Sequence, residues 1–227
     1  MVGITGVGAY VPLFRLGKET AGWKAAGEKP VANFDEDCIT MAVAATMDCL
    51  NGGDKSTVDG LYFATTTSPY SEKQAASIIA IASDLSESML AVDYAHSLRS
   101  GTVAMKAAMD SVKAGSARQA LVVVADQRLG APRSSIEANS GDAAGAVLLG
   151  DKNVVAQLID SLSLTQEILD VWRVSGETYH HTWEDRFATE EGYSKAVAKV
   201  VADLLKKNNL AVKDISRLVL SAPDPRK

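Results

Sequence analysis

The chain offers few side chains suited to covalent or metal chemistry: two cysteines, Cys38 and Cys49, and three histidines, His96, His180 and His181. A structural zinc site draws four ligands to one point, and five residues scattered over the sequence do not supply them. The adjacent pair, His180 and His181, points its rings apart rather than at one ion, so no metal is expected. Both cysteines fall in one helical segment, where their separation corresponds to a rise of about 16 Å. A disulfide requires Cα atoms within roughly 7 Å, so the two do not pair within that helix. Ser97 is an alternative nucleophile, because His96 precedes it. Serine attack needs a base within about 3 Å and an acid that orients the base. Neighbours on a turn point apart and no orienting acid stands at a readable spacing. The plainer reading of Ser97 is a hydroxyl bonding backbone at a helix start. The run Gly141-Asp-Ala-Ala-Gly-Ala is glycine-rich but lacks the Gly-Lys-Ser/Thr of a phosphate loop. Asp126 and Arg128, just past a strand end, read either as a buried ion pair at a dimer seam or as a solvated turn.

The elements that must position these residues belong to a globular chain. Of 227 residues, 47% are hydrophobic and 22% charged, which excludes disorder. The net charge of −5 and the dispersal of the 23 Lys and Arg exclude the basic patch that a nucleic-acid groove requires. No apolar run approaches the ~20 residues of a membrane span, and the N-terminus lacks the pattern of a signal peptide. A cytoplasmic location, without membrane or nucleic-acid partners, is the expectation.

Residues 2–11 alternate small and β-branched side chains with three glycines, which predicts a strand lying close against other backbone. A helix is expected from Asp35, capped by Asp35 or Asn33, through Leu50 to the stop at Asn51-Gly52-Gly53. Strands are predicted over 58–66, 89–94 and 121–125, with helices over 74–83 and 102–114. The 89–94 strand is apolar but for Asp93 and is expected to be buried on both faces. Residues 143–149 and 154–164 read as two strands joined by a tight turn at Gly150 and Asp151, hence antiparallel. Residues 193–207 carry an amphipathic stripe of Ala196, Val197, Val200, Val201, Leu204 and Leu205, which predicts a core-packing helix. A final strand is expected over 215–220. Strand–helix alternation at this spacing means an α/β protein with helices on both faces of a mixed sheet.

The order of these blocks resembles the thiolase fold, and within it the prokaryotic branch of the 3-hydroxy-3-methylglutaryl-CoA synthase family. The resemblance rests on Gly3-Ile-Thr-Gly-Val-Gly-Ala-Tyr-Val-Pro12, Asp35-Glu-Asp37, Ala64-Thr-Thr-Thr-Ser-Pro-Tyr70, and Asp93 through Gly101-Thr102. It continues through Gly141-Asp-Ala-Ala-Gly-Ala-Val147, Asp170-Val-Trp-Arg173 with Arg186-Phe187, and Gly192-Tyr193. It implies a layered α/β/α architecture with a complete first half over residues 1–165 and a second, truncated half over 166–227. It also gives the aromatic cluster from Tyr179 to Trp183 two readings, as the cover of an acyl-CoA tunnel or as core and interface.

The resemblance also locates chemistry that this sequence lacks. Family members use a cysteine nucleophile at the head of a helix, a glutamate acid/base after the second strand, and a histidine in a His-x-Pro turn. The cysteine position falls on Leu98, the glutamate position on Thr67 and the histidine position on Ser221, which precedes Ala222 and Pro223. Leucine neither attacks nor ionises, and losing a nucleophile removes most of the acceleration of a covalent mechanism. No catalytic residue is therefore assigned.

Two functions are expected. The first is a degenerate synthase-like protein, catalytically silent alone, that binds an acyl-CoA or acts as scaffold or partner subunit. The second is an acyl-CoA condensing enzyme, an acyltransferase, whose catalytic residues lie on a missing C-terminal part or another subunit. The resemblance implies no cofactor beyond a coenzyme A thioester as ligand. It implies a homo- or hetero-oligomer formed through the strand at 89–94, and a small zinc-bearing OB-fold protein as partner.

Overall fold

The structure, a computed structural model, describes residues 1–23 and 25–221. In chain order its elements are β1 (Gly3–Tyr10), β2 (Phe14–Leu16), β3 (Lys29–Val31), α1 (Cys38–Cys49), β4 (Val58–Ala64) and α2 (Ala75–Ala82). There follow β5 (Leu90–Tyr94), α3 (Ser100–Lys113), β6 (Gln119–Asp126), α4 (Ser135–Asn139), β7 (Ala143–Gly150) and β8 (Ala156–Gln157). The remainder is β9 (Val171–Trp172), β10 (His181–Thr182), α5 (Asp185–Phe187) and α6 (Lys195–Lys207). No helix among the described residues is long and apolar enough to cross a membrane.

Two compact units form, one from Met1–Arg128 with Ser140–Leu158 and one from Leu129–Asn139 with Ile159–Lys227. The first is built on a six-stranded sheet in the order β5-β4-β6-β7-β1-β8. β4 runs parallel to both β5 and β6, while β7 is antiparallel to its neighbours β6 and β1. The sheet is thus mixed, as expected. β4 and β6 lie inside it and alternate their side chains between two cores. Phe63, Leu61, Leu121 and Val123 face α1 and α2, where Met41 and Ile79 meet them. Tyr62 and Val122 face α3, against Ala104, Ala108 and Met109. Helices on both faces make the layered α/β/α arrangement.

The glycines of β1 act as the sequence suggests. A Cβ on Gly8 would lie 2.3 Å from the Cys49 nitrogen and 2.5 Å from the Ala45 carbonyl oxygen, so only glycine lets α1 lie on the strand backbone. At the other end of α1, Asp37 is the cap, rather than Asp35 or Asn33. Its carboxylate accepts from the Ile39 and Thr40 nitrogens at 2.9 and 2.8 Å, and Thr40 returns a bond from the Asp37 nitrogen. That reciprocal pair outcompetes the earlier polar residues because it satisfies donor groups at both ends.

Three strand expectations are corrected. β5 sits at the sheet edge, and Leu90 is 54% exposed, because apolar composition does not tell an edge strand from a central one. Residues 154–164 do not return along β7 as a hairpin. Only Ala156–Gln157 pairs, and it pairs with the start of β1. β7 already has β6 and β1 on its two sides, so no edge remains for a hairpin partner. Residues 215–220 form no strand, since no described strand offers them a ladder.

In the second unit, β9 and β10 pair antiparallel and stack the Trp172 ring on His181 at 5.4 Å. His181 Nε2 lies 2.8 Å from Glu177 Oε1, and the other Glu177 oxygen accepts from the Val174 nitrogen. These bonds hold the Glu177 carboxyl below its usual range, the His181 contact contributing most. Tyr179 and Trp183 are 43% and 53% exposed, so this cluster lies on the surface of its unit. A π-helical stretch, Ala188–Ser194, leads into α6. The apolar stripe of α6 is only half-covered: none of its residues is buried, which corrects the expectation of a core-packing helix.

Candidate functional site

Parallel strands point their carboxyl ends in one direction, and the crevice beyond those ends is where open α/β sheets hold ligands. β4, β5 and β6 end there at Ala64, Tyr94 and Asp126. The segments that follow them carry Thr65-Thr66-Thr67, the turn from Ala95 to Arg99, and Gln127. The Thr65 nitrogen donates to the Tyr94 carbonyl at 3.0 Å and ties the first two segments together.

Asp126 organises the β4 segment. Its Oδ1 accepts from the Thr66 nitrogen at 2.7 Å and from the hydroxyls of Thr65, Thr66 and Thr67, each at 3.0 Å. Thr67 Oγ1 also accepts from the Gln127 nitrogen at 2.9 Å. Four donors on one oxygen fix the loop in place. Asp126 therefore binds the threonines through this oxygen. No local pattern in the sequence signals this role, because Asp126 lies 59–61 residues from the threonines.

Beneath Thr67 lies a thiol. Cys38 Sγ donates to the Thr67 carbonyl oxygen at 3.3 Å, and Cys38 is buried at the start of α1. Burial is the largest cause pushing its pKa up to about 11, with the hydrogen bond to Thr65 opposing it. It is a packed, protonated thiol. Cys49, at the other end of α1, is likewise pushed up to about 11 by burial, and both cysteines are free.

The turn before α3 carries the residues singled out for nucleophilic chemistry. His96 adopts a left-handed φ of 65°, a conformation strained for a side-chain-bearing residue. Ser97 Oγ accepts from the Arg99 nitrogen at 3.2 Å, and its carbonyl accepts from the Ser100 nitrogen at 3.0 Å. Ser97 thus serves as the turn hydroxyl of the plainer reading. Leu98, expected from the sequence to fall at the nucleophile position, is 64% exposed. Gly101 follows because a Cβ there would meet Val124 Cγ1 at 2.8 Å, so the first turn of α3 can rest on β6.

Asp93 has a structural part. Its two oxygens accept from the Ala75 and Ala76 nitrogens, both at 2.7 Å, capping α2 from the neighbouring strand. The structure brings Thr67, Ser97 and Leu98 into one unit at one end of its sheet. Ser221 belongs to the second unit, where its carbonyl accepts from the Tyr193 hydroxyl at 2.7 Å. Ala222 and Pro223, which complete that turn in the sequence, lie outside the described residues.

No family model matches the chain. A hydroxymethylglutaryl-CoA synthase of Pyrococcus furiosus is 31% identical over 233 residues, covering 98% of this chain and 66% of that protein. The chain thus spans a little under two thirds of the length of that relative. Among solved structures, an HMG-CoA synthase complexed with CoA superposes with a TM-score of 0.83 at 18% identity, over 95% of this chain and 58% of that one. A 3-oxoacyl-(acyl carrier protein) synthase III of Pseudomonas aeruginosa gives a TM-score of 0.76 at 22% identity, over 94% and 73% of the two chains. These likenesses establish a thiolase-like fold.

Proposed function

The chain belongs to the hydroxymethylglutaryl-CoA synthase family, and from that premise we propose that it is a silent member, acting as an acyl-CoA-binding or partner subunit. The observation that carries this reading is the turn at the head of α3. It presents an exposed leucine, Leu98, where the family's chemistry needs an ionisable thiol. Its neighbours do not compensate: the Ser97 hydroxyl is engaged by backbone, Thr67 is bound to Asp126, and the Cys38 thiol is buried and protonated. The likeness in fold to an HMG-CoA synthase complexed with CoA supports a coenzyme A thioester as the proposed ligand.

The β5 edge supports the oligomeric part of the proposal. Among the described residues β5 pairs only with β4, and an unpaired edge strand is a template for a second chain. A homo-oligomer or hetero-oligomer through this edge is the proposed assembly, with a zinc-bearing OB-fold protein as the hetero partner to test.

The test is intact-protein mass spectrometry of natively purified protein with and without excess acetyl-CoA, beside a binding titration with the same thioester. Saturable binding with no covalent adduct is expected. A stoichiometric acetyl adduct, mapped by digestion to Ser97 or elsewhere in the 95–99 turn, would overturn silence and make the chain an acyltransferase with a relocated nucleophile.

A further inference from the structure

The connection that leaves α1 carries the single Asn-Gly step of the sequence, Asn51-Gly52. α1 ends at Cys49 with Leu50 as its cap, so both residues lie just outside the helix. Gly52 is in the left-handed region with φ 73°, and an added Cβ there would meet nothing within 4 Å. Asn51 and Gly52 are both exposed. The turn is closed on either side, by the Asn51 nitrogen on the Asp48 carbonyl and the Gly53 nitrogen on the Leu50 carbonyl. Among the described residues, neither the Gly52 nitrogen nor the Asn51 side chain has a hydrogen-bond partner.

We infer that Asn51-Gly52 is a site of spontaneous backbone modification in the folded protein. The Gly52 nitrogen attacks the Asn51 side-chain carbonyl carbon. The new C–N bond closes a succinimide, and the side-chain nitrogen departs as ammonia with the proton that the Gly52 nitrogen gives up. Water then adds and opens either of the two imide bonds, leaving aspartate or isoaspartate at position 51. No oxidant or cofactor enters. Glycine at the second position matters because no side chain obstructs the approach. The other asparagines precede Phe34, Ser140, Val154, Asn209 and Leu210, all bulkier.

The product places a new carboxylate at the C-terminal end of α1, where the helix dipole disfavours negative charge and Asp48 and Asp54 already stand. The isoaspartate form also adds a methylene to the backbone that leads into β4. The modified chain is therefore a methyl acceptor for isoaspartate-directed methyltransferases and a less stable form of the fold.

The experiment incubates the native full chain at mildly alkaline pH and follows three readouts. They are the mass gain of one deamidation, its position by fragmentation able to distinguish isoaspartate, and methyl transfer from S-adenosylmethionine by an isoaspartate methyltransferase. A peptide spanning Leu50 to Gly53 runs alongside, as does Asn51→Gln, whose circular dichroism should match the parent. Conversion at position 51 within an order of magnitude of the peptide rate, absent in Asn51→Gln, is expected. A folded chain that stays unconverted while the peptide is consumed would overturn the inference. Conversion seen only after unfolding in urea, or mapped to Asn139 or Asn209, would do the same.

Discussion

Replacing Asp126 with alanine tests the account of the site most directly. The substitution removes the oxygen on which one backbone N–H and three threonine hydroxyls converge. Bonds to a charged acceptor contribute about 1.5–3 kcal/mol each when measured singly. They do not add here, because they share one oxygen and the loss is partly repaired. Thr65 and Thr67 hydroxyls lie 3.4 Å apart and can bond each other, and Thr66 reaches solvent. Thr65, only 4% exposed, and the Thr66 N–H carry the remaining cost. The expected loss for Asp126→Ala is about 2–4 kcal/mol, and about half that for Asp126→Asn, which keeps an acceptor in place. Urea unfolding with linear extrapolation gives the loss. Amide exchange at Thr66 and Gln127 shows whether the loop has come free while the rest of the sheet stays protected. A loss under about 0.5 kcal/mol, the range of an ordinary surface change, would refute the assignment of Asp126 as the anchor of this loop.

Other consequences can be measured on the same material. Burial pushes both thiols up to about 11, so native protein near neutral pH should resist iodoacetamide and take two adducts on unfolding. A fast native adduct on Cys38 by intact mass would contradict its burial. Gly8→Ala should cost about 3 kcal/mol or more, since its Cβ would strike the α1 backbone. Gly6→Ala, whose Cβ would sit 3.5 Å from Leu148 Cβ, should be far milder in the same denaturation assay. Asp59 is held down to about 2, chiefly by the side chain of Arg118, which binds both of its oxygens. Its folded pKa lies below the unfolded value near 3.9, so its stabilisation is present above that value and is lost as pH falls through about 2. The Arg118 side chain is 64% exposed, so solvent screens the pair to a small contribution. Asp59→Asn should therefore lower stability at neutral pH slightly and flatten the acid limb. An unchanged acid limb would remove the pair from the account.

Much of this fold was legible from residue patterns, and the failures have physical reasons. The interior strands announce themselves as apolar runs, because β4 and β6 bury both faces. Their pairing does not, since which strand neighbours which depends on chain crossings that no local pattern records. β5 therefore read like a central strand, and residues 154–164 read as a hairpin partner of β7. Residues 215–220 have strand composition, but a strand exists only where a ladder does. For the site, Leu98 and Thr67 could be read as residue types, and the structure places both at one end of the first unit's sheet. The use of Asp126 was hidden, since an aspartate at a strand end gives no sign of its partners 59–61 residues away. The cap at Asp37 could have been found from Thr40, three residues on, which completes the reciprocal bond.

The position of β1 in the sheet bears on how the chain emerges from a ribosome. Gly3 pairs with Gly150 and Tyr10 with Ala144, so β1 finds this partner only when β7 has been synthesised. Until then its glycine-rich, apolar backbone has no ladder, although α1, β4, α2 and β5 have already been made. Pairing of such long sequence separation is slow because the closure entropy precedes the contacts that offset it. The nascent chain thus passes through a stage in which β1 lacks its β7 ladder, the kind of exposed edge that recruits chaperones or other chains.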